Sequence, residues 1–181
     1  MTADLNTIAL KRIDGTPATL GDYDGKVRLV VNVASKCGLT PQYEGLEALY
    51  RAKKADGLEI LGFPANNFKE QEPGTEADIQ TFCSTTYDVT FPLFGKISVA
   101  GDDKHPLYQA LTAAQPETKD SDAFRARLDG LGIPTNPKGE VLWNFEKFLI
   151  ARDGSVVGRF SPDIPADDAR LTEAIEAELK K

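Results

Sequence analysis

The chain has little sulfur and almost no histidine: two cysteines, one methionine and a single histidine, His105, in 181 residues. Cys37 and Cys83, far apart in sequence, are too few for a disulfide-dependent scaffold and lack the paired spacing of zinc sites. One histidine cannot build a histidine-rich centre, so no metal or organic cofactor is expected and His105 is given no role. Basic clusters are also missing. A net charge of -7 and a pI near 4.8 repel phosphate backbones and anionic lipid, which makes nucleic acid and membrane surfaces poor partners. No eighteen apolar residues follow one another, and the opening MTADLNTIALKRIDG has no basic stretch leading into an apolar run of signal-peptide length. A soluble, cytoplasmic protein is expected.

What remains is a composition of 41% hydrophobic and 27% charged residues, enough for one globular domain over residues 1–181. The turn dipeptide Asp14-Gly15 between Thr7–Ile13 and Thr16–Leu20 predicts an N-terminal hairpin. Val27–Ala34 is nearly continuous apolar sequence, as for a central strand covered on both faces, and Leu58–Phe63 reads the same way. Thr40 and Pro41 predict a helix start, with Tyr43, Leu46, Leu49 and Tyr50 at helical spacing. Thr75 and Asp78 resemble a capping box opening a helix through Ile79, Phe82 and Cys83. Phe94–Val99, Glu146–Ala151 and Ser155–Phe160 read as further strands, the last two joined at Asp153-Gly154, and a helix after Pro165 turns Leu171, Ile175 and Leu179 inward. The polar, Pro- and Gly-rich stretch 113–140 reads as a surface excursion around a short helix at Asp122–Leu128. The alternation predicts an α/β sheet with helices on both faces, where reactive groups gather at the carboxyl ends of strands.

Cys37 lies at such an end. A thiol of ordinary pKa, about 8.5, is only about 3% thiolate at pH 7, so its surroundings decide whether it reacts. Lys36 is adjacent, Gly38 removes a side chain beside the sulfur, and the helix begun near Pro41 points free N–H groups toward it. The competing reading is a buried bystander, since free cysteine is among the most buried residue types. The acidic pairs Asp102-Asp103 and Asp167-Asp168 precede helices, where negative charge suits the dipole, and are not read as a catalytic carboxylate pair.

Three segments add to this: Asn32–Gly38 (NVASKCG), Gly62–Phe68 with QEPG at Gln71–Gly74, and Trp143–Leu149 (WNFEKFL). In order and spacing they resemble the motifs of the glutathione peroxidases, and the similarity runs from about Thr7 to Leu179. The resemblance implies a thioredoxin-like fold with a central mixed sheet flanked by helices, peroxide reduction, and a catalytic tetrad on Cys37, Gln71, Trp143 and Asn144. Taken alone, Trp143 reads as a core aromatic, and Gln71 and Asn144 as loop polarity. Together the three are hydrogen-bond donors able to favour a thiolate and the charge moving to a departing oxygen. The family usually has cysteine at Ala65 and glutamine at Asn67, a departure that leaves the tetrad intact. Where selenium-dependent members carry selenocysteine this chain has Cys37, which implies a slower, sulfur-based enzyme.

Cys83 lies in TFCSTTYDVTFPLF, which resembles the block where thioredoxin-dependent members carry a resolving cysteine; otherwise it reads as a core residue of its helix. The implied partners are a peroxide and a thioredoxin or glutathione as reductant. A monomer is favoured. The alternative is a peroxide sensor that relays oxidation to a partner protein. Because bridged cysteines need Cα atoms roughly 4.4 to 6.8 Å apart, and Cys37 and Cys83 fall on separate elements, the segment Ser84–Asp88 is expected to unwind before they join.

Overall fold

The computed structural model describes residues 4–181; the first three residues, part of the opening segment read above, lie outside the described part. The Asp14-Gly15 turn joins β1 (Leu10–Lys11) to β2 (Pro17–Ala18) as an antiparallel pair. Gly15 sits at φ +88°, a left-handed conformation in which a residue with a side chain is strained. Each strand keeps only two residues, because the chain curls into 3-10 turns at Leu5–Thr7 and Leu20–Tyr23 on either side.

Every residue of β3 (Val27–Val33) is buried, as its nearly continuous apolar sequence requires. It pairs in parallel with β4 (Leu58–Pro64) and antiparallel with β5 (Lys147–Ile150), which pairs antiparallel with β6 (Val156–Phe160). The order β4-β3-β5-β6 makes a mixed sheet. Parallel neighbours need a crossover, and α1 (Gln42–Lys53) supplies it. On β5, Lys147 donates to Gln42 of α1, while the next residue, Phe148, meets Tyr108 of α3 (Pro106–Ala114) edge-on at 5.9 Å. Successive strand residues face opposite ways, so helices cover both faces and the arrangement is thioredoxin-like. Lys147 is fully buried, and burial pushes its pKa down to about 7.

The capping box is present: Thr75 and Asp78 exchange hydrogen bonds at the start of α2 (Glu76–Tyr87). Asp168 caps α5 (Ala169–Leu179), in which Leu171 and Ile175 are buried and Leu179 partly so. His105, given no role above, is a cap as well: its Nδ1 accepts the Leu107 N–H at 3.0 Å. Two expectations fail. Thr40 does not cap α1, because its hydroxyl is committed to the turn at Cys37. Phe94–Val99 is not a strand. Gly62 binds Pro92 O and Phe94 N, then Gly95 N–H turns to Lys11 O and Ile97 N–H to Pro64 O. The segment thus divides its backbone bonds between β4 and the hairpin and completes a ladder with neither.

The excursion is packed down rather than loose. Phe124 and Leu128 of α4 (Asp122–Gly130) are buried. Its two ends are held by Arg159 of β6, whose Nη1 donates to Gln115 O and Gly139 O, both at 3.0 Å. Arg159 also pairs with Glu146 at 2.7 Å, and neither side chain reaches solvent. Burial pushes the Glu146 carboxyl upward against the opposing pull of Arg159. Removing one partner of such a pair strands the other charge, so Arg159→Met is expected to lower stability by about 3 to 5 kcal/mol in urea unfolding. Adding Glu146→Leu should recover part of that loss, whereas the two orphaned carbonyls keep the remainder.

Candidate active site

Cys37 follows the carboxyl end of β3, in the turn that leads into α1. Thr40 builds that turn: its hydroxyl accepts the Cys37 N–H at 2.9 Å and donates to Ala34 O at 2.8 Å. The Leu39 N–H is aimed at the sulfur, with N···Sγ at 3.2 Å. A donor fixed on the sulfur leaves it little freedom in its direction. The thiol is 8% exposed, so its reach to solvent is narrow.

Two further loops close on this turn. The Lys36 N–H donates to Gln71 O at 3.0 Å, tying the residue beside Cys37 to the loop after β4. Asn144 Nδ2 donates to Gln71 Oε1 at 2.9 Å, which joins that loop to the one before β5. With its oxygen so engaged, the Gln71 amide keeps its NH2 group as a donor without a protein acceptor among the described residues. Trp143 is 6% exposed, with its ring 5.2 Å from that of Phe68. Gln71 is thus joined to the Cys37 turn through its backbone and to Asn144 through its side chain, while Trp143, next to Asn144, packs on Phe68.

Asn32 makes the junction. Its side chain is buried; Asn32 Nδ2 donates to Trp143 O at 3.1 Å, and the Asn32 backbone carbonyl accepts the Phe145 N–H at 2.6 Å. Those bonds hold Phe145 at φ +70°, while Lys69 and Glu70, just before Gln71, sit at +57° and +51°. Each left-handed non-glycine residue costs on the order of 1 to 3 kcal/mol, and such costs gather where a loop must present particular groups. Asn32 and Thr40 were missed as site residues in the sequence. A polar residue inside the run VRLVVNVA was the available signal for the first, and a threonine three residues after Cys37 for the second.

Beside Trp143 lies a cavity of about 240 Å³ lined by Asn67, Phe68 and Lys69 on one side and by Ile133, Pro134 and Asn136 of the excursion on the other. The excursion therefore forms a wall at the site. Cys83 lies elsewhere, on the inner face of α2. Its thiol is free, as is that of Cys37, and 1% exposed. Burial pushes its pKa up to about 11, with the Tyr43 hydroxyl of α1 pulling it down and the charge of Glu72 adding to the rise. Among the described residues no group of three or more histidine, cysteine, aspartate or glutamate side chains is placed to hold a metal ion, and no helix is long and apolar enough to cross a membrane.

Comparison with known proteins gives this arrangement its context. The family described as glutathione peroxidase matches residues 5–112. The chain is 50% identical over 177 residues to the thioredoxin/glutathione peroxidase BtuE of Escherichia coli, covering 97% of each. It is 45% identical over 181 residues to the hydroperoxy fatty acid reductase gpx1 of Synechocystis, covering 94% of this chain and 99% of that one. The apo crystal structure of Trgpx superimposes with a TM-score of 0.72 at 35% identity, covering 100% of this chain and 98% of that one. Match, identity and coverage agree, and the chain belongs to the glutathione peroxidase family of peroxidases.

Proposed function

We propose that the protein reduces hydrogen peroxide and organic hydroperoxides through a sulfenic acid on Cys37, that Cys83 resolves this acid as a disulfide, and that thioredoxin or glutathione returns both thiols. The observation that carries the reading is the Cys37 turn, with the Leu39 N–H on the sulfur and the loops of Gln71, Trp143 and Asn144 tied to it. The thiolate attacks one peroxide oxygen, the O–O bond breaks, and the other oxygen leaves as water or alcohol after taking a proton. Donors around the sulfur stabilise charge as it moves to the departing oxygen, and the step needs no metal. The names of the bacterial relatives support a peroxide substrate and a thiol reductant.

The test is steady-state consumption of peroxide by the protein with thioredoxin, its reductase and NADPH, and separately with glutathione and its reductase. Many turnovers per protein are expected with thioredoxin. Consumption that stops near one equivalent with either reductant would instead mark a sensor that passes its oxidation to a partner. Substituting the proposed donors should slow the first step: Gln71→Leu and Trp143→Phe are each expected to cost about 1 to 3 kcal/mol, or roughly five- to 150-fold, in single-turnover oxidation of Cys37. Wild-type rates in both variants would remove these residues from the reaction.

A further inference from the structure

A second cavity, of about 340 Å³, lies between the segment that leads into the Cys37 turn and the first half of α2. One wall is Ser35 and Lys36, the two residues before Cys37; another is Asp78, Ile79 and Phe82 on the face of α2 that leads to Cys83. Glu72 also lines it. This carboxyl is 1% exposed, and its Oε2 has no hydrogen-bond partner. A buried carboxyl oxygen left unpaired is costly, so its retention between the residues that precede Cys37 and the helix that carries Cys83 calls for a use.

We infer that Glu72 carries the proton during disulfide formation, taking it from the Cys83 thiol and delivering it to the hydroxyl that leaves Cys37. The inference rests on the reading of Cys37 and Cys83 as attacking and resolving thiols. From its place on the inner face of α2, Cys83 gives its proton to the Glu72 carboxylate; once the turn after it has unwound, the thiolate attacks the sulfur of the Cys37 sulfenic acid. The S–S bond forms as the S–O bond breaks, and the departing hydroxide takes the proton from Glu72 and leaves as water. Cys83 sulfur is oxidised and Cys37 sulfur reduced, so one sulfenic acid and one thiol give one disulfide and one water, with no outside oxidant.

The step needs a base. While Cys83 is still in place on the inner face of α2, with its pKa pushed up to about 11 by burial, it is thiolate in only about one molecule in ten thousand at pH 7. Burial raises the Glu72 carboxyl as well, opposed by Ser35, Lys96 and Lys36, so it holds a proton more readily than a surface carboxylate. Of the other titratable groups around the cavity, Asp78 is engaged by Thr75 in the α2 cap and held below its ordinary value. Tyr43 is pushed well above its ordinary value by burial and by Cys83, and it stays protonated. Lys36 and Lys96 are cations and draw charge onto Glu72.

Rapid quenching of the peroxide-treated protein with a thiol-alkylating reagent, followed by peptide mass analysis, separates sulfenic acid formation from disulfide formation. Between pH 6 and 9, Glu72→Gln is expected to slow the disulfide step at least tenfold more than the sulfenic acid step. Its disulfide rate should climb about tenfold per pH unit, where wild type stays nearly flat. Glu72→Asp, which keeps the carboxylate, should restore part of the rate and the flat profile. Equal slowing of both steps would make Glu72 a positioning residue for the Gln71 loop and overturn the inference, as would an unchanged disulfide rate in Glu72→Gln. If wild type itself forms no Cys37–Cys83 disulfide, the resolving role of Cys83 fails, and the inference with it.

Discussion

Cys37→Ser is expected to bring peroxide turnover down to background while the folded structure persists. The exchange replaces one sulfur by one oxygen at a site only 8% exposed, and the hydrogen bonds that build the turn come from backbone groups and Thr40, which the change leaves in place. The Leu39 N–H retains an acceptor at that position. Reactivity is another matter, because a serine hydroxyl is almost entirely protonated at neutral pH and oxygen is a far weaker nucleophile toward peroxide than a thiolate. The coupled NADPH assay with thioredoxin and its reductase gives the rate, and thermal unfolding followed by circular dichroism gives the fold. A folded variant with measurable turnover above background would reject Cys37 as the attacking group.

The organisation around Cys37 was legible because apolar periodicity and turn chemistry are local. VRLVVNV is apolar enough to require burial on both faces, and Thr75-Glu-Ala-Asp78 carries both halves of a capping box within four residues. Features that depend on where the chain goes next were not legible. Thr40 looked like a helix cap because its neighbour is Pro41, yet the tighter demand was the free N–H of Cys37. Phe94–Val99 has the composition of a strand, but the hairpin and β4 compete for its backbone. The excursion read as surface because it is polar and rich in proline and glycine. The Arg159 side chain, reaching Gln115 and Gly139 from β6, joins the buried Phe124 and Leu128 in holding it as a wall beside Trp143. Within the candidate site, the motifs named Gln71, Trp143 and Asn144, whereas the Asn144–Gln71 hydrogen bond and the part played by Asn32 emerge only once three loops are brought together.

Cys83→Ser is expected to lose thioredoxin-supported turnover while Cys37 still reacts with peroxide, so that the variant accumulates sulfenic and then more oxidised Cys37. The expectation depends on Cys83 leaving its place. It is 1% exposed on the inner face of α2, beneath the Tyr43 hydroxyl, and from there it must reach a turn on another element. The helix beyond it is the weak part. Ser84, Thr85 and Thr86 are exposed, serine and threonine are modest helix formers, and the hydroxyls of Ser84 and Thr85 bond back to Thr81 O, so unwinding this turn gives up chiefly the packing of Tyr87 on Tyr43 and Phe82. The chain after it is held by α1: Arg51 Nη2 donates to both Asp88 O and Asp88 Oδ2 at 3.0 Å, and the buried Glu47 accepts from Thr90 N–H, the Thr90 hydroxyl and Phe91 N–H. A loose turn between a firm helix start at Thr75 and a firm anchor at Glu47 allows Cys83 to swing out while both ends of the segment stay in place. Peptide mass mapping of peroxide-treated wild type should show one Cys37–Cys83 linkage, and hydrogen exchange should show residues 84–88 losing protection in that oxidised form. Full thioredoxin-dependent activity in Cys83→Ser would falsify the resolving role and point to direct reduction of the sulfenic acid by an external thiol.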